Sequence, residues 1–328
     1  PRPGANSGRL ASLLDYENRA RDGDFFADVD SRFKFCVLVF GGAESSFPQA
    51  EYGTFLTATD DAGLAQQAFP LAPADFRAVN PNTLTAPVFR TRRDAELTLA
   101  IYRRVPALVR HRSAGPHEQD WPVRYSTMFH MTNDSHLFRT RAELEADGCY
   151  AVAGEAGLRR GEQRWLPLYV GRMFWHFDHR ANHVRVNPAN LHNPAVSEPT
   201  TDTEKSDPAF TPTPQFYVAE SDIPDLRDWS LAFRDITNST NERTFVSAIL
   251  PRAAFGNKAP LLLGLNAEQA IIVLSNLNSM ILDYVARQKL QSTSANWYIV
   301  EQLPIRSKPN PDNARYLATK RSKMGHLL

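Results

Sequence analysis

Cysteines and long apolar runs are scarce in this chain of 328 residues. The two cysteines, Cys36 and Cys149, lie far apart in the sequence. They are too few for a disulfide framework or a cysteine-rich zinc site, and they fit a reducing compartment. No apolar run approaches the roughly 20 residues that a membrane-spanning helix needs. We therefore expect a cytoplasmic protein that does not enter a membrane.

Several motifs of catalysis and cofactor binding are also missing. The sequence has no Gly-x-Gly-x-x-Gly, no phosphate-binding loop ending in Gly-Lys-Ser/Thr and no Gly-x-Ser-x-Gly nucleophile elbow. His176, His179 and His183, with Asp178, have a spacing that could ligate a metal ion, but nothing else in the sequence completes such a site. We predict no catalytic residue and no metal ligand in this chain, with a metal-dependent nuclease as an alternative.

The most distinctive stretch of the sequence runs from Trp165 to Arg180. It contains five aromatic side chains, two histidines and the arginines Arg172 and Arg180. Every second residue from Tyr169 to Phe177 follows the alternation of a half-buried strand, and Gly171 within it indicates a bulge or a close backbone approach. Large aromatic rings beside arginine suit the binding of nucleic acid. The alternative is a sheet strand whose aromatic residues fill a core.

Other patterns predict strands. The apolar run Lys34 to Phe40, stopped by two glycines, is typical of a strand buried on both faces within a larger sheet. The rest of that sheet must come from later residues or from a segment upstream, because two strands cannot bury such a run. Residues 229–236 and 243–250 predict two strands joined by a polar turn, and Trp297 to Val300 predict a last strand.

Helical signals complete a prediction of the α+β class. Ser7 predicts the cap of a short helix through Leu14, and apolar spacing predicts a helix over 94–109 with Leu97 on its buried face. Asn266 and Gln269 resemble the capping box of a long helix from Ala267 to about Lys289, with a break at its polar residues 276–279. The proline-rich stretch 187–215 predicts a long loop.

Charged residues are segregated although the net charge is +1. Residues 90–112 carry seven arginines, 285–323 carry eight basic groups, and 187–228 carry eight acids. Such blocks can make one face attractive to phosphate. Side chains of the types that read bases or hold phosphates lie at predicted strand ends and turns. The candidate DNA-binding residues are Arg172, His176, His179, Arg180, Arg234, Asn241, Arg243, Asn257, Lys258, Arg287 and Lys289. Each has a structural alternative, which for Arg243 is an ion-paired strand residue.

Short blocks spread in order over residues 10–305 carry a resemblance to a known family. They are Asp15-Tyr16-Glu17-Asn18-Arg19, Val29-Asp30-Ser31-Arg32-Phe33-Lys34-Phe35, Asn80-Pro81-Asn82-Thr83, Phe89-Arg90-Thr91-Arg92-Arg93-Asp94-Ala95-Glu96, Leu168-Tyr169-Val170-Gly171-Arg172-Met173, Phe177-Asp178-His179-Arg180, Phe233-Arg234-Asp235-Ile236, Thr240-Asn241-Glu242-Arg243-Thr244, Leu277-Asn278-Ser279 and Asp283-Tyr284-Val285-Ala286-Arg287-Gln288-Lys289. Together they resemble the C-terminal half of bacterial adenine-specific DNA methyltransferases of the type IIG-like restriction-modification and phage-defence group.

The resemblance implies a fragment, because that group carries its cofactor-binding glycine motif and its Asn-Pro-Pro-Tyr/Phe motif in an N-terminal half that this sequence lacks. It implies that residues 1–60 are the closing strands of a Rossmann-like methyltransferase sheet and that 61–120 are a helical linker. It further implies a target-recognition domain at 121–305, with mixed, mostly antiparallel strands and long helices, and a basic tail at 306–328.

The implied function is sequence-specific recognition of double-stranded DNA. The fragment itself would hold no cofactor, and S-adenosylmethionine would bind the parent protein. Its partners would be double-stranded DNA, the upstream methyltransferase domain and other defence-system subunits. The alternative function is a protein-interaction module of a defence complex, for which the acidic stretch 187–215 and the basic residues 315–323 are suited.

Overall fold

The computed structural model describes residues 8–20, 23–59, 64, 67–111, 121–152, 154–186, 195–224, 227–290 and 292–306. In this part of the chain it is a mixed α+β structure with several antiparallel sheets and seven α-helices, which confirms the predicted class. Two compact units are distinguished: an N-terminal unit, Pro1–Trp121 with Tyr298–Leu328, and a central unit, Pro122–Trp297. The predicted basic tail lies outside the described residues beyond Arg306.

The strands of the N-terminal unit are β1 (Leu10–Glu17), β2 (Arg19–Ala20), β3 (Gly23–Asp24), β4 (Lys34–Phe40), β5 (Ala50–Leu56) and β6 (Phe69–Leu71). Four of them form a sheet with the order β4-β1-β5-β6, and β2 and β3 form a separate two-stranded sheet. Strand β1 pairs antiparallel with β4 and parallel with β5, and β5 pairs antiparallel with β6. The predicted helix through Leu14 is wrong, because that segment is β1 and has a ladder partner on each side.

Strand β4 lies at the edge of this sheet. A strand is present where Lys34 to Phe40 predicted one, but its predicted burial on both faces is wrong. The side chains of Val37, Leu38, Val39 and Phe40 are 46%, 46%, 47% and 51% exposed. Their exposure follows from topology, since β4 pairs only with β1 among the described strands. An edge strand with apolar side chains on both faces is a template for pairing with another strand.

Two helices belong to the N-terminal unit, α1 (Pro73–Val79) and α2 (Arg92–Arg104). Thr91 caps α2 by accepting a hydrogen bond from the Asp94 amide at 3.1 Å. The predicted buried face of α2 is wrong: Leu97 is 46% exposed, whereas Leu99 and Tyr102 are buried. The face is set by the returning C-terminal segment, because the Tyr102 hydroxyl donates to the carbonyl oxygen of Gln302 at 2.6 Å.

The central unit contains two larger sheets and one hairpin. One sheet has the antiparallel order β14-β13-β16-β7, and the other has β9 at its centre, paired with β8, β12 and β15. Strands β10 and β11 form the hairpin. The ranges are β7 (Arg124–Ser126), β8 (Leu158–Arg160), β9 (Gln163–Tyr169), β10 (Asn182–Val186), β11 (Ala195–Pro199), β12 (Tyr217–Ala219), β13 (Trp229–Phe233), β14 (Ser247–Pro251), β15 (Ala254–Phe255) and β16 (Leu261–Leu263). The two strands predicted over 229–236 and 243–250 are confirmed in shorter form as β13 and β14.

The helices of the central unit follow their capping signals. They are α3 (Arg141–Ala146), α4 (Asp202–Ser206), α5 (Ala267–Leu277) and α6 (Met280–Lys289). The Asn266–Gln269 capping box and the break near 276–279 are confirmed, since Ser279 caps α6 and the two helices bend by 66°. No single described helix is long and apolar enough to cross a membrane. Helices α5 and α6 together have the length and composition of a membrane span, but only as this bent pair.

Two further predictions are wrong. The loop predicted over 187–215 contains β11 and α4, the latter started by a capping box between Thr201 and Glu204, while residues 187–194 lie outside the described part of the chain. The strand predicted at the C-terminal end is the helical turn α7 (Trp297–Val300). A run of four apolar residues is too short for periodicity to separate a strand from a helix.

Candidate nucleic-acid interface

The stretch 165–180 is a strand that ends early and then turns. Strand β9 stops at Tyr169, and Gly171–Met173 form a single 3₁₀ turn. A Cβ atom on Gly171 would lie 3.0 Å from the carbonyl oxygen of Lys258, so the predicted close backbone approach is confirmed. The predicted strand to Phe177 is wrong, because the 3₁₀ turn interrupts it. Tyr169, Met173 and Phe174 fill the core, as the structural alternative expected.

A tight turn at Trp175–Asp178 presents one aromatic ring to solvent. The Trp175 amide donates to the Asp178 carbonyl oxygen at 2.7 Å, and the Asp178 amide donates back at 3.1 Å. Phe177, between them, has a φ of 59°, a left-handed conformation that is unfavourable for a bulky residue. Its side chain is 60% exposed, so the strain is not offset by burial of the ring.

Arg234 packs against the base of this turn. Its guanidinium carbon lies 4.5 Å from the centre of the Trp175 ring, which is cation–π geometry. Its Nε donates to the carbonyl oxygen of Phe174 at 2.9 Å. Burial lowers the pKa of Arg234 to about 10, so the group stays charged at neutral pH. No described carboxylate forms an ion pair with it.

Arg172 and Arg180 are held in the same manner. Arg172 Nη1 donates to the carbonyl oxygen of Ala195 at 3.0 Å. Arg180 Nη1 and Nη2 donate to the carbonyl oxygens of Asp207 and Lys205 at 3.0 and 3.1 Å, at the end of α4. Together with Arg234 these residues form what we call the carbonyl-held arginines. Because a carbonyl group carries no net charge, this arrangement orients the guanidinium groups without neutralising them.

Two other candidate arginines share the buried carboxylate of Asp283 on α6, whose single negative charge offsets only one of their two positive charges. Arg243 Nε lies 3.6 Å from Asp283 Oδ1, and Arg287 Nη2 lies 3.2 Å from Oδ2. Arg287 also donates to the carbonyl oxygens of Ser239 and Glu242 at 2.6 and 3.1 Å. The ion-paired alternative for Arg243 is therefore what the geometry presents. Both side chains hold the loop between β13 and β14 against α6.

Lys258 and Asn257 lie in the turn after β15. Lys258 Nζ is 2.5 Å from the carboxylate of Asp235, which is buried, so its charge is paired. The Asn257 amide donates to the Phe129 carbonyl oxygen at 2.7 Å, while its buried Oδ1 has no hydrogen-bond partner among the described atoms. The backbone of this turn forms the wall against which Gly171 packs.

The two candidate histidines are both half-buried. His176 Nε2 donates to the carbonyl oxygen of Phe245 at 2.8 Å, which places its proton on Nε2. Burial lowers the pKa of His176, and the nearby Arg243 acts in the same direction. Burial, followed by the neighbouring Arg180, lowers the pKa of His179. Both imidazoles are therefore neutral at pH 7 and can accept as well as donate hydrogen bonds.

The remaining candidates, Asn241 and Lys289, belong to the loop between β13 and β14 and to the end of α6. Asn241 is exposed in the loop between β13 and β14. Lys289 is half-buried at the end of α6, and burial lowers its pKa to about 7. Burial disfavours the charged form of this ammonium group, which makes it a weaker phosphate ligand than an exposed lysine.

The histidine cluster does not assemble as a metal site. Among the described residues, no group of three or more histidine, cysteine, aspartate or glutamate side chains could hold a metal ion. Asp178 instead binds Lys205 Nζ at 2.7 Å, and His183 faces Glu204 at 3.2 Å.

Comparison with models of known protein families and with curated proteins gave no match to this chain.

Sequence reasoning missed the two acids that organise this region, although it singled out the aromatic stretch that contains Trp175. Asp235 and Asp283 decide which candidate cations have a carboxylate partner, and Trp175 packs against Arg234. The only sequence signal for Asp235 was its position next to Arg234. Nothing local marked Asp283, which acts on residues about 40 positions upstream through Thr244 and Phe245 amide hydrogen bonds.

Proposed function

We propose that this chain recognises double-stranded DNA in a sequence-specific way, as part of an adenine-specific DNA methyltransferase of restriction-modification or phage defence. The observation that carries the proposal is the carbonyl-held arginines. Arg172, Arg180 and Arg234 keep their full charge in fixed orientations beside an exposed aromatic turn. Oriented guanidinium groups are the protein groups best suited to phosphates and to guanine edges.

The neutral histidines support the same function. His176 and His179 lie in the same turn segment as the arginines, and their lowered pKa values keep them uncharged near pH 7. A neutral imidazole can accept a hydrogen bond from a base amino group, whereas the flanking arginines supply charge for phosphates. Phosphate contacts position a protein on the duplex, and base contacts specify the sequence. Asn241 and Asn257 remain predicted contacts.

In this proposal the N-terminal unit closes the sheet of the methyltransferase domain. The exposed edge of β4, apolar on both faces, would pair with a strand of that domain. S-adenosylmethionine would bind that upstream domain, and the modified adenine would be held there. The residues of this chain would choose the site of methylation without performing it.

Fluorescence anisotropy with a labelled 30-bp duplex of mixed sequence tests DNA binding directly. We expect affinity to fall steeply as salt rises, since each phosphate contact releases counterions. Arg172→Gln should weaken binding by about tenfold and lower the salt slope by about 1. The matched control is Arg139→Gln, because Arg139 is already paired with Asp147 at 2.7 Å and should change affinity by less than about twofold. Affinity independent of salt would refute the proposal.

The exposed β4 edge also favours a second candidate function, a protein-interaction module of a defence complex. Its apolar side chains would be covered by a partner protein rather than by a methyltransferase domain. Two results together would favour this function: association with a partner subunit in the absence of DNA, and an affinity for the duplex that does not depend on salt concentration. Loss of that association in Val37→Lys would assign it to β4.

A further inference from the structure

Phe177 has both a strained backbone and an exposed aromatic ring, and each of these features is energetically unfavourable. Its backbone has a φ of 59°, and its ring is 60% exposed. Packing does not account for the strain, because an exposed ring contributes little to the core and an unstrained backbone could also leave it in solvent. Strain of this kind persists where the surroundings enforce it, and it concentrates at sites that bind or react.

The surroundings enforce the conformation through several hydrogen bonds. The Trp175 and Asp178 backbones bond to each other in both directions, and the Phe177 amide donates to the Ser247 carbonyl oxygen at 3.3 Å. Asp178 is fixed in turn by Lys205 and by the Arg180 amide at 2.8 Å. Beneath the turn, the Trp175 ring is held against the Arg234 guanidinium. The ring of Phe177 is therefore presented on a rigid support.

The charges of the same segment indicate what this ring meets. Arg172 and Arg180 flank the turn in the sequence, and Arg234 is stacked on Trp175 within it. These three arginines are not paired with described carboxylates. Cations next to a turn with an exposed aromatic ring fit a polyanion with flat, apolar faces, which describes a nucleic acid strand with its bases. A neutral apolar pocket on a protein would not be complementary to those cations.

We infer that Phe177 is a wedge that stacks on a nucleobase of the bound duplex, at a step where a base is displaced from the helix. This inference rests on the proposed DNA-binding function and adds a residue and a binding mode to it. Inserting an apolar ring unstacks a base step, and the cost is smallest where a base is already missing or unpaired. Wild-type protein therefore prefers a duplex with such a gap.

The test compares two labelled 30-bp duplexes of the same mixed sequence, one fully paired and one with a central abasic site. Anisotropy should give the wild-type chain about tenfold or more higher affinity for the abasic duplex, the range expected for one base–aromatic stack. Phe177→Gly removes the ring and suits the left-handed backbone, so it should fold and lose the preference. Phe177→Trp should retain it. Tyr150→Gly, which removes another exposed aromatic ring of the central unit, should leave the preference unchanged.

The outcomes separate the inference from the function on which it rests. If the wild-type chain binds both duplexes equally with a steep salt dependence, or if Phe177→Gly keeps the preference, the wedge is refuted and DNA binding stands. If neither duplex binds in a salt-dependent way, the proposed function fails, and the wedge fails with it. An equal loss in Tyr150→Gly would also refute a specific role for Phe177.

Discussion

Phe177 occupies a backbone conformation that bulky side chains avoid, and the exposure of its ring means that packing does not repay the strain. The left-handed region costs an ordinary residue about 1–2 kcal/mol, and glycine is exempt from that cost. The backbone conformation at this position therefore disfavours phenylalanine, and the proposed contact with a nucleobase would account for its presence.

The first prediction concerns the stability of Phe177→Gly. Relief of strain should outweigh the roughly 0.5–1 kcal/mol that glycine loses in chain entropy, so the free energy of unfolding should stay unchanged or rise by up to about 1 kcal/mol. Urea denaturation measures it. The control Phe174→Gly removes a fully buried ring and should cost about 3–5 kcal/mol. A loss above about 1 kcal/mol in Phe177→Gly would mean that its ring is packed after all.

A second prediction follows from Lys289, whose pKa is lowered to about 7 by burial. In the unfolded chain this pKa is about 10.4, so between pH 7 and 10 the unfolded state binds more protons than the folded state. The free energy of unfolding should therefore rise with pH across that window. Because the side chain is half-buried, we expect the rise to be on the order of 1 kcal/mol. In Lys289→Gln the free energy of unfolding should depend less on pH across this window. An unchanged pH dependence in that variant would contradict the attribution of the rise to Lys289.

Single residues differed in how far the sequence could identify their roles. The close approach at Gly171 was predictable, because a glycine within an apolar strand pattern has few other reasons to be there. The ion-paired alternative for Arg243 was also open from the start. Its partner Asp283 was not predictable, since no local pattern links residues 40 positions apart before the fold brings them together.

The loop between β13 and β14 depends on α6 for its shape. Asp283 Oδ1 accepts the amides of Thr244 and Phe245 at 2.8 and 2.9 Å, and its carboxylate also pairs with two arginines. Phe245 in turn offers its carbonyl oxygen to His176 in the turn region. One buried carboxylate thus connects a helix, a loop and the candidate interface.

The third prediction is that Asp283→Ala lowers the free energy of unfolding by about 3–5 kcal/mol, because it leaves two buried backbone amides without an acceptor and two partly buried arginines without a counter-ion. Thermal or urea denaturation checks the value. The control is Glu145→Ala, which breaks the exposed Arg141–Glu145 pair and should cost less than about 1 kcal/mol. Equal effects of the two substitutions would show that Asp283 does not organise the loop.

Strand β4 shows which properties of a strand could be predicted from the sequence and which could not. Its apolar run marked a strand correctly, but burial depends on neighbours that a run of residues does not specify. The break between α5 and α6 was predictable from Asn276 to Ser279, because capping residues act locally. The end of β9 was not, because its alternating pattern continues through the 3₁₀ turn at Gly171, where the chain approaches the backbone of the distant Lys258.

The fourth prediction uses Cys36, which is exposed on β4, whereas Cys149 is buried. A maleimide should modify Cys36 on the order of tenfold faster than Cys149 in the folded chain. If a methyltransferase domain covers the β4 edge, the rate at Cys36 should fall when that domain is present. Mass spectrometry after timed labelling assigns each thiol. A labelling rate at Cys36 that does not fall when the domain is present would contradict the proposal that this domain covers the β4 edge.

The chain as a whole is nearly neutral, with a net charge of +1, so the proposed DNA binding would not rest on bulk charge. What matters is which cations pair with a carboxylate. Asp235 and Asp283 pair with Lys258, Arg243 and Arg287, whereas Arg172, Arg180 and Arg234 bind carbonyl groups. The sequence predicted all six as candidates and could not separate the two groups, because pairing is decided by tertiary contacts.

The most direct test is the slope of log affinity against log salt concentration for the wild-type chain and for the triple variant Arg172→Gln, Arg180→Gln, Arg234→Gln on one 30-bp duplex. Far-UV circular dichroism and urea denaturation of the variant verify its fold. If the carbonyl-held arginines bind phosphates, the slope should become less steep by about 2–3, because each phosphate that is no longer neutralised changes it by about 0.9. An unchanged slope in a folded triple variant would contradict their role in DNA binding.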